Sequence, residues 1–171
     1  PQIRISINHD PQLWLCDVDV GQIHQVLLNL CLNARDAIGE KGGLLLETWN
    51  HTITGTETRS NLQARSGDFV RVRVRDTGCG MDEETRARIF DPFFTTKGKD
   101  GTGLGLSQAF GIVQQHQGWI ECKSEVEVGT TFDIYFPRSS ALDETTVVPV
   151  PEVLELKSAG RETILLVEDE P

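Results

Sequence analysis

The chain has 171 residues, of which 38% are hydrophobic and 25% charged, a composition typical of a soluble globular domain with at most a fragment of a second. Its formal net charge of −10 excludes nucleic acid as an expected partner, because binding to phosphates needs a basic surface. Four scattered cysteines and the lack of a long apolar run predict reduced thiols, no disulfide framework, no membrane contact and a cytoplasmic location.

The chain begins with an alternating segment that predicts a strand with one buried face. Isoleucine occupies every second position from Ile3 to Ile7. A turn at Asp10-Pro11 then leads into residues 13–16, which predict a short second strand. We therefore expect two strands before the first helix.

A long helix is predicted next, from an apolar stripe that recurs every three or four residues. The members of this stripe are Val20, Ile23, Leu27, Leu30, Ala34 and Ala37. Either Asp17 or Asp19 can cap the N-terminus of the helix, and Gly42-Gly43 is expected to end it.

A polar strip on the same helix consists of Asn29, Asn33 and Asp36, which helical geometry places within roughly 60° of one another. Two amides and a carboxylate offer the oxygen ligands that Mg²⁺ prefers when it holds phosphates. A solvated polar face is the alternative. Leu28 and Leu32 flank the strip, however, and such apolar surroundings favour a lined pocket.

Four further strands are predicted in two pairs. Residues 44–49 and 69–76 form the first pair, joined by a polar hairpin loop from about residue 55 to 67. Residues 119–124 and 130–136 form the second pair, a hairpin. Alternation of valine and arginine in the 69–76 strand indicates that its two faces meet different surroundings.

Asp76 ends one of these strands and is followed by Gly78 and Gly80. A carboxylate at this place can accept a hydrogen bond from an adenine amino group, while the glycines let the base lie against the backbone. A turn with an Asx cap is an equally weighted alternative.

Two more helices are predicted around a segment without periodicity. Asp82 caps a short helix with two glutamates in its first turn, and residues 106–113 carry an apolar stripe that Gly118 closes. Residues 95–102 between them are expected to be mobile.

Three phenylalanines, Phe90, Phe93 and Phe94, lie just before this segment and look like part of a lid that docks onto another surface. Lys97 and Arg88 could meet terminal phosphates, although each could equally be an ordinary surface cation.

The glycine-rich run Gly101-Thr102-Gly103-Leu104-Gly105-Leu106-Ser107 precedes the last helix, so its backbone N–H groups can face phosphate oxygens. A P-loop would need a lysine here, and a dinucleotide-binding fingerprint would need a strand directly before the glycines. A flexible hinge without a ligand is the alternative.

In this order, the four motifs resemble the N, G1, F and G2 boxes of the ATP-binding catalytic domain of sensor histidine kinases, over residues 1–138. The resemblance implies an α+β fold, a two-layer sandwich. A mixed, mostly antiparallel sheet would be covered on one face by three helices, with a mobile ATP lid. It also implies ATP and Mg²⁺ as cofactors.

The resemblance further implies a set of nucleotide-binding residues. They are Asn29, Asn33, Asp36, Asp76, Gly78, Gly80, Arg88, Phe93, Lys97, Gly101, Thr102, Gly103, Leu104, Gly105 and Thr131. By their positions in the boxes, Asn33 would ligate Mg²⁺, Asp76 would read adenine and Thr131 would line the adenine pocket. Arg88 and Lys97 would approach the phosphates. No catalytic residue is expected within the chain, since the acceptor histidine and its base would lie outside it.

The resemblance extends to the superfamily that also holds type II topoisomerases, mismatch-repair ATPases and a heat-shock chaperone. Asn29 discriminates between reactions within this superfamily, because members that hydrolyse ATP with water carry a glutamate base there. An amide cannot take a proton from water, which favours transfer of the γ-phosphoryl group to a histidine. The alternatives are a water-hydrolysing ATPase of the same fold, or a non-catalytic nucleotide-binding or docking module. Asp36 is a second departure, because many members of the family have a lysine at this position. The run Asn-Ala-Arg-Asp-Ala around it resembles the nitrogen-regulatory and hybrid branches of the family.

Beyond the domain, residues 139–162 predict a linker, and residues 163–171 resemble the first strand of a truncated receiver domain, with acidic Glu168 and Asp169. The parent would then be a hybrid kinase. Its expected partners are the dimerisation and phospho-acceptor helices of the parent and a receiver domain or response regulator. The fragment is expected to be monomeric and the parent dimeric.

Overall fold

The structure is a computed structural model that describes residues 2–54, 65–98 and 101–140. The predicted receiver strand, most of the predicted linker and most of the loop predicted at 55–67 lie outside the described residues. The expected mobility of residues 95–102 stays a prediction.

The described residues form five strands and three helices. In chain order these are β1 (Gln2–His9), α1 (Val20–Ile38), β2 (Lys41–Ile53), β3 (Gly67–Asp76), α2 (Glu83–Arg88), α3 (Gly105–Gln115), β4 (Trp119–Glu125) and β5 (Gly129–Pro137). The strands form one sheet in the order β1-β2-β3-β5-β4, in which only β1 and β2 pair in parallel. The predicted mixed, mostly antiparallel sheet with helices on one face is confirmed.

The main core lies between the sheet and the two longer helices. Its helical side comes from every fourth residue of α1 and from Ala109 and Val113 of α3, and its sheet side includes Val74 and Ile134. The buried residues of α1 are Val26, Leu30, Ala34 and Ile38. The predicted stripe was therefore right in its centre and wrong at Val20, which lies in the exposed first turn.

The buried face predicted for β1 was wrong beyond Ile3. Ile5 is 62% exposed and Ile7 is 68% exposed. The reason is the position of β1 at the edge of the sheet, where only Ile3 packs against the core. Residues 13–16 form no strand either; Trp14 N–H donates to the side-chain oxygen of Asn50 in β2, at 2.8 Å, and not to a backbone carbonyl of a neighbouring strand.

The N-terminal caps follow the sequence. Asp19 accepts a hydrogen bond from Gln22 N at 2.8 Å, and Asp82 caps α2 in the same way. The predicted end of α1 was too late. The helix ends at Ile38 because Gly39 adopts a φ of 68°, whereas Gly42-Gly43 belongs to β2.

The face of the sheet opposite the helices carries a buried ionic cluster. Asp133 of β5, which is 1% exposed, accepts two hydrogen bonds from Arg71 and two from Arg73, at 2.6 to 3.2 Å. Both guanidinium groups also lie about 5 Å from the Trp49 ring. Burial acts to raise the pKa of Asp133, but the hydrogen bonds and positive charges of the two arginines together outweigh it and hold the pKa below its usual value.

Candidate functional site

A cavity of about 480 Å³ lies between α1, the end of β3 and the glycine-rich run before α3. Its volume falls in the range of small-molecule sites. The predicted residues that line it are Asn29, Asn33, Asp36, Asp76, Gly80, Lys97, Gly101, Thr102, Gly103 and Gly105. The predicted residues outside the lining are Gly78, Arg88, Phe93, Leu104 and Thr131. The fold thus brings together residues that are distant in sequence.

Asp76 is the buried carboxylate of the cavity, with 4% exposure. Its Oδ1 accepts hydrogen bonds from Gly78 N at 2.8 Å and Thr130 N at 3.2 Å. Burial raises the pKa of Asp76 above its ordinary value, against the opposing effect of these two N–H groups. Among the described residues no donor bonds to Oδ2, so this oxygen is available to a ligand.

Thr131, which was predicted to line the adenine pocket, lies outside the lining of this cavity, and its neighbour Thr130 lines it. Side chains alternate along a strand, and Phe132, which also lines the cavity, shares the face of Thr130. The alternation along the predicted 130–136 strand could have provided the signal, because it places Thr130 on the same face as the apolar Phe132 and Ile134.

Gly78 and Gly80 both allow close packing around Asp76, though only Gly80 lines the cavity. A Cβ at position 78 would come within 2.6 Å of the Ala37 backbone, so Gly78 lets α1 approach the end of β3. Gly80 has a φ of 65°, and a Cβ there would collide with the Glu125 carbonyl. The role of Gly78 is therefore to position the backbone behind the cavity.

Of the three phenylalanines Phe90, Phe93 and Phe94, it is Phe94 that lines the cavity, where the sequence predicted Phe93. Phe93 has a φ of 66° and is 74% exposed, because a turn directs its side chain outward. Arg88 does not line the cavity. Its guanidinium lies 4.4 Å from the centre of the Phe94 ring and 3.8 Å from Asp91, so neighbours on its own segment hold it.

Asn29 joins α1 to the start of α3. Its Nδ2 donates to Gly105 O at 3.0 Å, which places the amide between the helix and the glycine-rich run. Leu104 lies outside the lining because it occupies the N-cap position of α3, where its carbonyl accepts from Gln108 N at 2.9 Å.

At the other end of the polar strip, Asn33 and Asp36 bind the ammonium group of Lys97. Lys97 Nζ donates to Asn33 Oδ1 at 3.0 Å and to Asp36 Oδ2 at 2.6 Å. Asp36 Oδ1 also accepts two hydrogen bonds from Arg35. The hydrogen bonds from Lys97, and then those from Arg35, hold the pKa of Asp36 below its ordinary value.

This ammonium group shows that the oxygens of Asn33 and Asp36 suit a cation, so the residues present fit Mg²⁺. In the described part of the chain, no cluster of three or more His, Cys, Asp or Glu could hold a metal by itself. A metal ion here would take its remaining oxygens from water or from a nucleotide.

None of the helices within residues 2–54, 65–98 and 101–140 is long and apolar enough to cross a membrane.

The fold and this cavity together define an ATPase domain of the histidine kinase type. The chain belongs to the family described as histidine kinase-, DNA gyrase B- and HSP90-like ATPase, whose model matches residues 18–140. Within that family it is a domain of the two-component sensor kinases, as the following relatives indicate.

The chain is 42% identical to the sensor kinase CckA of Brucella abortus (strain 2308), in an alignment covering 98% of this chain and 18% of that protein. The crystal structure of full-length ShkA in complex with AMPPNP is similar, with a TM-score of 0.64 and 32% identity, over 81% of this chain and 26% of that one. The nucleotide-free catalytic domain of histidine kinase ThkA matches with a TM-score of 0.61 and 32% identity, over 80% of this chain and 79% of that one. The chain spans about a fifth of the length of the curated relatives CckA and AtoS.

Proposed function

We propose that this domain binds Mg-ATP in the cavity and donates the γ-phosphoryl group to a histidine on dimerisation and phospho-acceptor helices outside the chain. The observation that carries the proposal is that one cavity is lined both by a buried carboxylate with a free oxygen, Asp76, and by a cation-binding pair, Asn33 and Asp36. Kinase relatives, and a similar structure solved with AMPPNP, support the same ligand.

In this proposal Asp76 accepts a hydrogen bond from the adenine amino group through Oδ2, and the Thr130 backbone holds the carboxylate in place. The glycine-rich run would present backbone N–H groups to the phosphates. Asn33 would hold Mg²⁺, which when bound would neutralise part of the phosphate charge. Lys97 would supply a further positive charge.

The reaction needs little covalent chemistry from these residues, because phosphoryl transfer depends mainly on positioning and charge stabilisation. The bond between the γ-phosphorus and its bridging oxygen breaks, and a bond to the acceptor imidazole nitrogen forms. ADP leaves, and a base of the acceptor domain takes the imidazole proton. The domain alone should therefore bind ATP and show little kinase activity.

Asn29 supports transfer to a histidine over hydrolysis. Its Nδ2 is committed to Gly105 O, and its remaining amide oxygen cannot act as a base towards water at neutral pH. Acceptor-independent phosphate release well above background would support a water-hydrolysing ATPase instead.

The wider assignments are also part of the proposal. Residues 1–138 would be the catalytic domain, 139–162 a linker, and 163–171 the start of a receiver domain in a hybrid kinase. The parent would be dimeric and would act on a receiver domain or response regulator. Free cysteines throughout the chain favour a reducing, cytoplasmic setting for this domain.

Isothermal titration with AMPPNP and Mg²⁺ tests the proposal. Asp76→Asn should weaken binding about 10-fold or more, because its amide oxygen can replace Oδ1 while its NH₂ group faces the adenine amino group as a second donor. Asp10→Asn is the matched control, since Asp10 lies outside the cavity lining and should leave the affinity unchanged. Equal affinities for wild type and Asp76→Asn would refute the assignment of Asp76. Failure of the wild type to bind would leave a docking module as the function.

A further inference from the structure

The contact between Lys97 and α1 involves the Asp36 carboxylate as well as the Asn33 amide. The Asp36 carboxylate is shared between two cations: Oδ2 accepts from Lys97 Nζ at 2.6 Å, and Oδ1 accepts from Arg35 at 2.7 and 2.9 Å. Only Lys97 also reaches Asn33, at 3.0 Å. Its ammonium is therefore held at the amide oxygen that would ligate a metal ion.

Lys97 and a divalent metal ion cannot both use this place. Mg²⁺ binds oxygens at about 2.0–2.1 Å in near-octahedral geometry, so a metal on Asn33 Oδ1 would lie within a few ångströms of the ammonium group. At such a distance the repulsion between the two cations is substantial even at a surface dielectric constant. One of the two must leave for the other to enter.

Asp36 also presents a difficulty for a triphosphate, because a bare carboxylate in the cavity would repel it. Lys97 and Arg35 both pair with this carboxylate, and Arg35 can continue to neutralise its charge after Lys97 moves. The arrangement therefore permits an exchange in which the carboxylate is never left without a cation.

We propose that Lys97 and the metal ion of bound Mg-ATP compete for Asn33 Oδ1, and that Asp36 is a positioning residue that holds Lys97 there until the metal enters. The inference rests on the proposed function and adds to it that a lysine occupies the metal position until the nucleotide binds.

Binding of Mn²⁺ alone to the nucleotide-free chain, followed by electron paramagnetic resonance, tests the competition. Lys97→Met should bind Mn²⁺ at least about 5-fold more tightly than wild type, because a charged, hydrogen-bonded competitor is gone. The matched control is Arg35→Met, which removes an equal charge from the same carboxylate but no contact with Asn33. The increase in Mn²⁺ affinity of Arg35→Met should be at least about 3-fold smaller than that of Lys97→Met. Adding Asn33→Ala to Lys97→Met should cancel the gain.

Limited trypsin digestion, with cleavage after Lys97 identified by mass, tests the positioning role without any metal. Asp36→Asn should be cleaved there about 3- to 10-fold faster than wild type, since a partly exposed ion pair is lost. Asp36→Glu restores the charge and should return the rate towards that of wild type. A general loss of folding would instead accelerate cleavage at many sites in both variants.

The outcomes separate this inference from the proposed function. If the wild type binds Mg-AMPPNP but Lys97→Met and Arg35→Met gain equally in Mn²⁺ affinity, the competition is refuted and the proposed function stands. Cleavage of Asp36→Asn at the wild-type rate would refute the positioning role of Asp36. If the wild type does not bind Mg-AMPPNP at all, the proposed function and this inference fail together.

Discussion

Replacing Asp133 by Asn removes the negative charge that holds Arg71 and Arg73 on the outer face of the sheet. Deleting one partner of a buried ion pair costs about 3–5 kcal/mol, because the other partner is left uncompensated. The two arginine side chains are 14% and 29% exposed, so water can solvate part of their charge, and asparagine keeps one acceptor oxygen. We therefore expect the free energy of unfolding to fall by about 2–3 kcal/mol.

Urea unfolding of the full chain at pH 7 measures this loss. Asp91→Asn is a suitable control, because the Asp91 carboxylate lies 3.8 Å from Arg88 and both side chains are more than half exposed. Such a surface pair contributes at most about 1 kcal/mol.

The pH dependence of the same difference provides a second check. The pKa of Asp133 lies below its unfolded value of 3.8, so the stabilisation is complete above that pH and is lost as the pH falls through the lower folded-state pKa. The gap between wild type and Asp133→Asn should therefore be constant near neutrality and shrink below about pH 4. A loss under about 1 kcal/mol at pH 7, or a gap that widens on acidification, would refute the reasoning.

Two further predictions concern the cavity. Affinity for Mg-AMPPNP should fall as the pH is lowered towards the pKa of Asp76, which burial raises above 3.8. This pH-dependent loss of affinity should be absent in Asp76→Asn. If wild type and Asp76→Asn lose affinity in the same way as the pH falls, the role of the ionised carboxylate is contradicted. The free energy of unfolding should be lower in Gly103→Ala than in Gly39→Ala, by at least about 1 kcal/mol. Both glycines have a positive φ, but only at Gly103 would a Cβ meet the backbone of Phe93, so equal losses in urea titrations would count against the clash.

Local chemistry made much of the secondary structure predictable. Valine and arginine alternate along the strand that ends at Asp76, and Asp19 and Asp82 mark the N-terminal caps of α1 and α2. These signals work because periodicity and capping involve residues within one or two turns. Exposure of Ile5 was not predictable in this way, since alternation does not say whether a strand lies inside the sheet or at its edge.

Parts of the candidate site escaped prediction for a related reason. Lys97 could be named as a cation near the phosphates, but its partner Asp36 is 61 residues away and is reached only through the fold. Phe93 and Phe94 are adjacent and chemically equal, and the positive φ at Phe93 decides which of them faces the cavity. Neither distinction can be read from residue type or spacing.

The sequence by itself determined most of the elements of this protein and many of the residues that line its cavity, because hydrophobic period, cap residues and glycine positions act over a few neighbours. Only the tertiary structure decided which side chains meet. Antiparallel pairing sets Arg73 directly opposite Asp133, and α1 packs so that Asn33 and Asp36 share one ammonium group. Those contacts depend on strand register and helix packing, which are settled by burial of the whole core and not by any local segment.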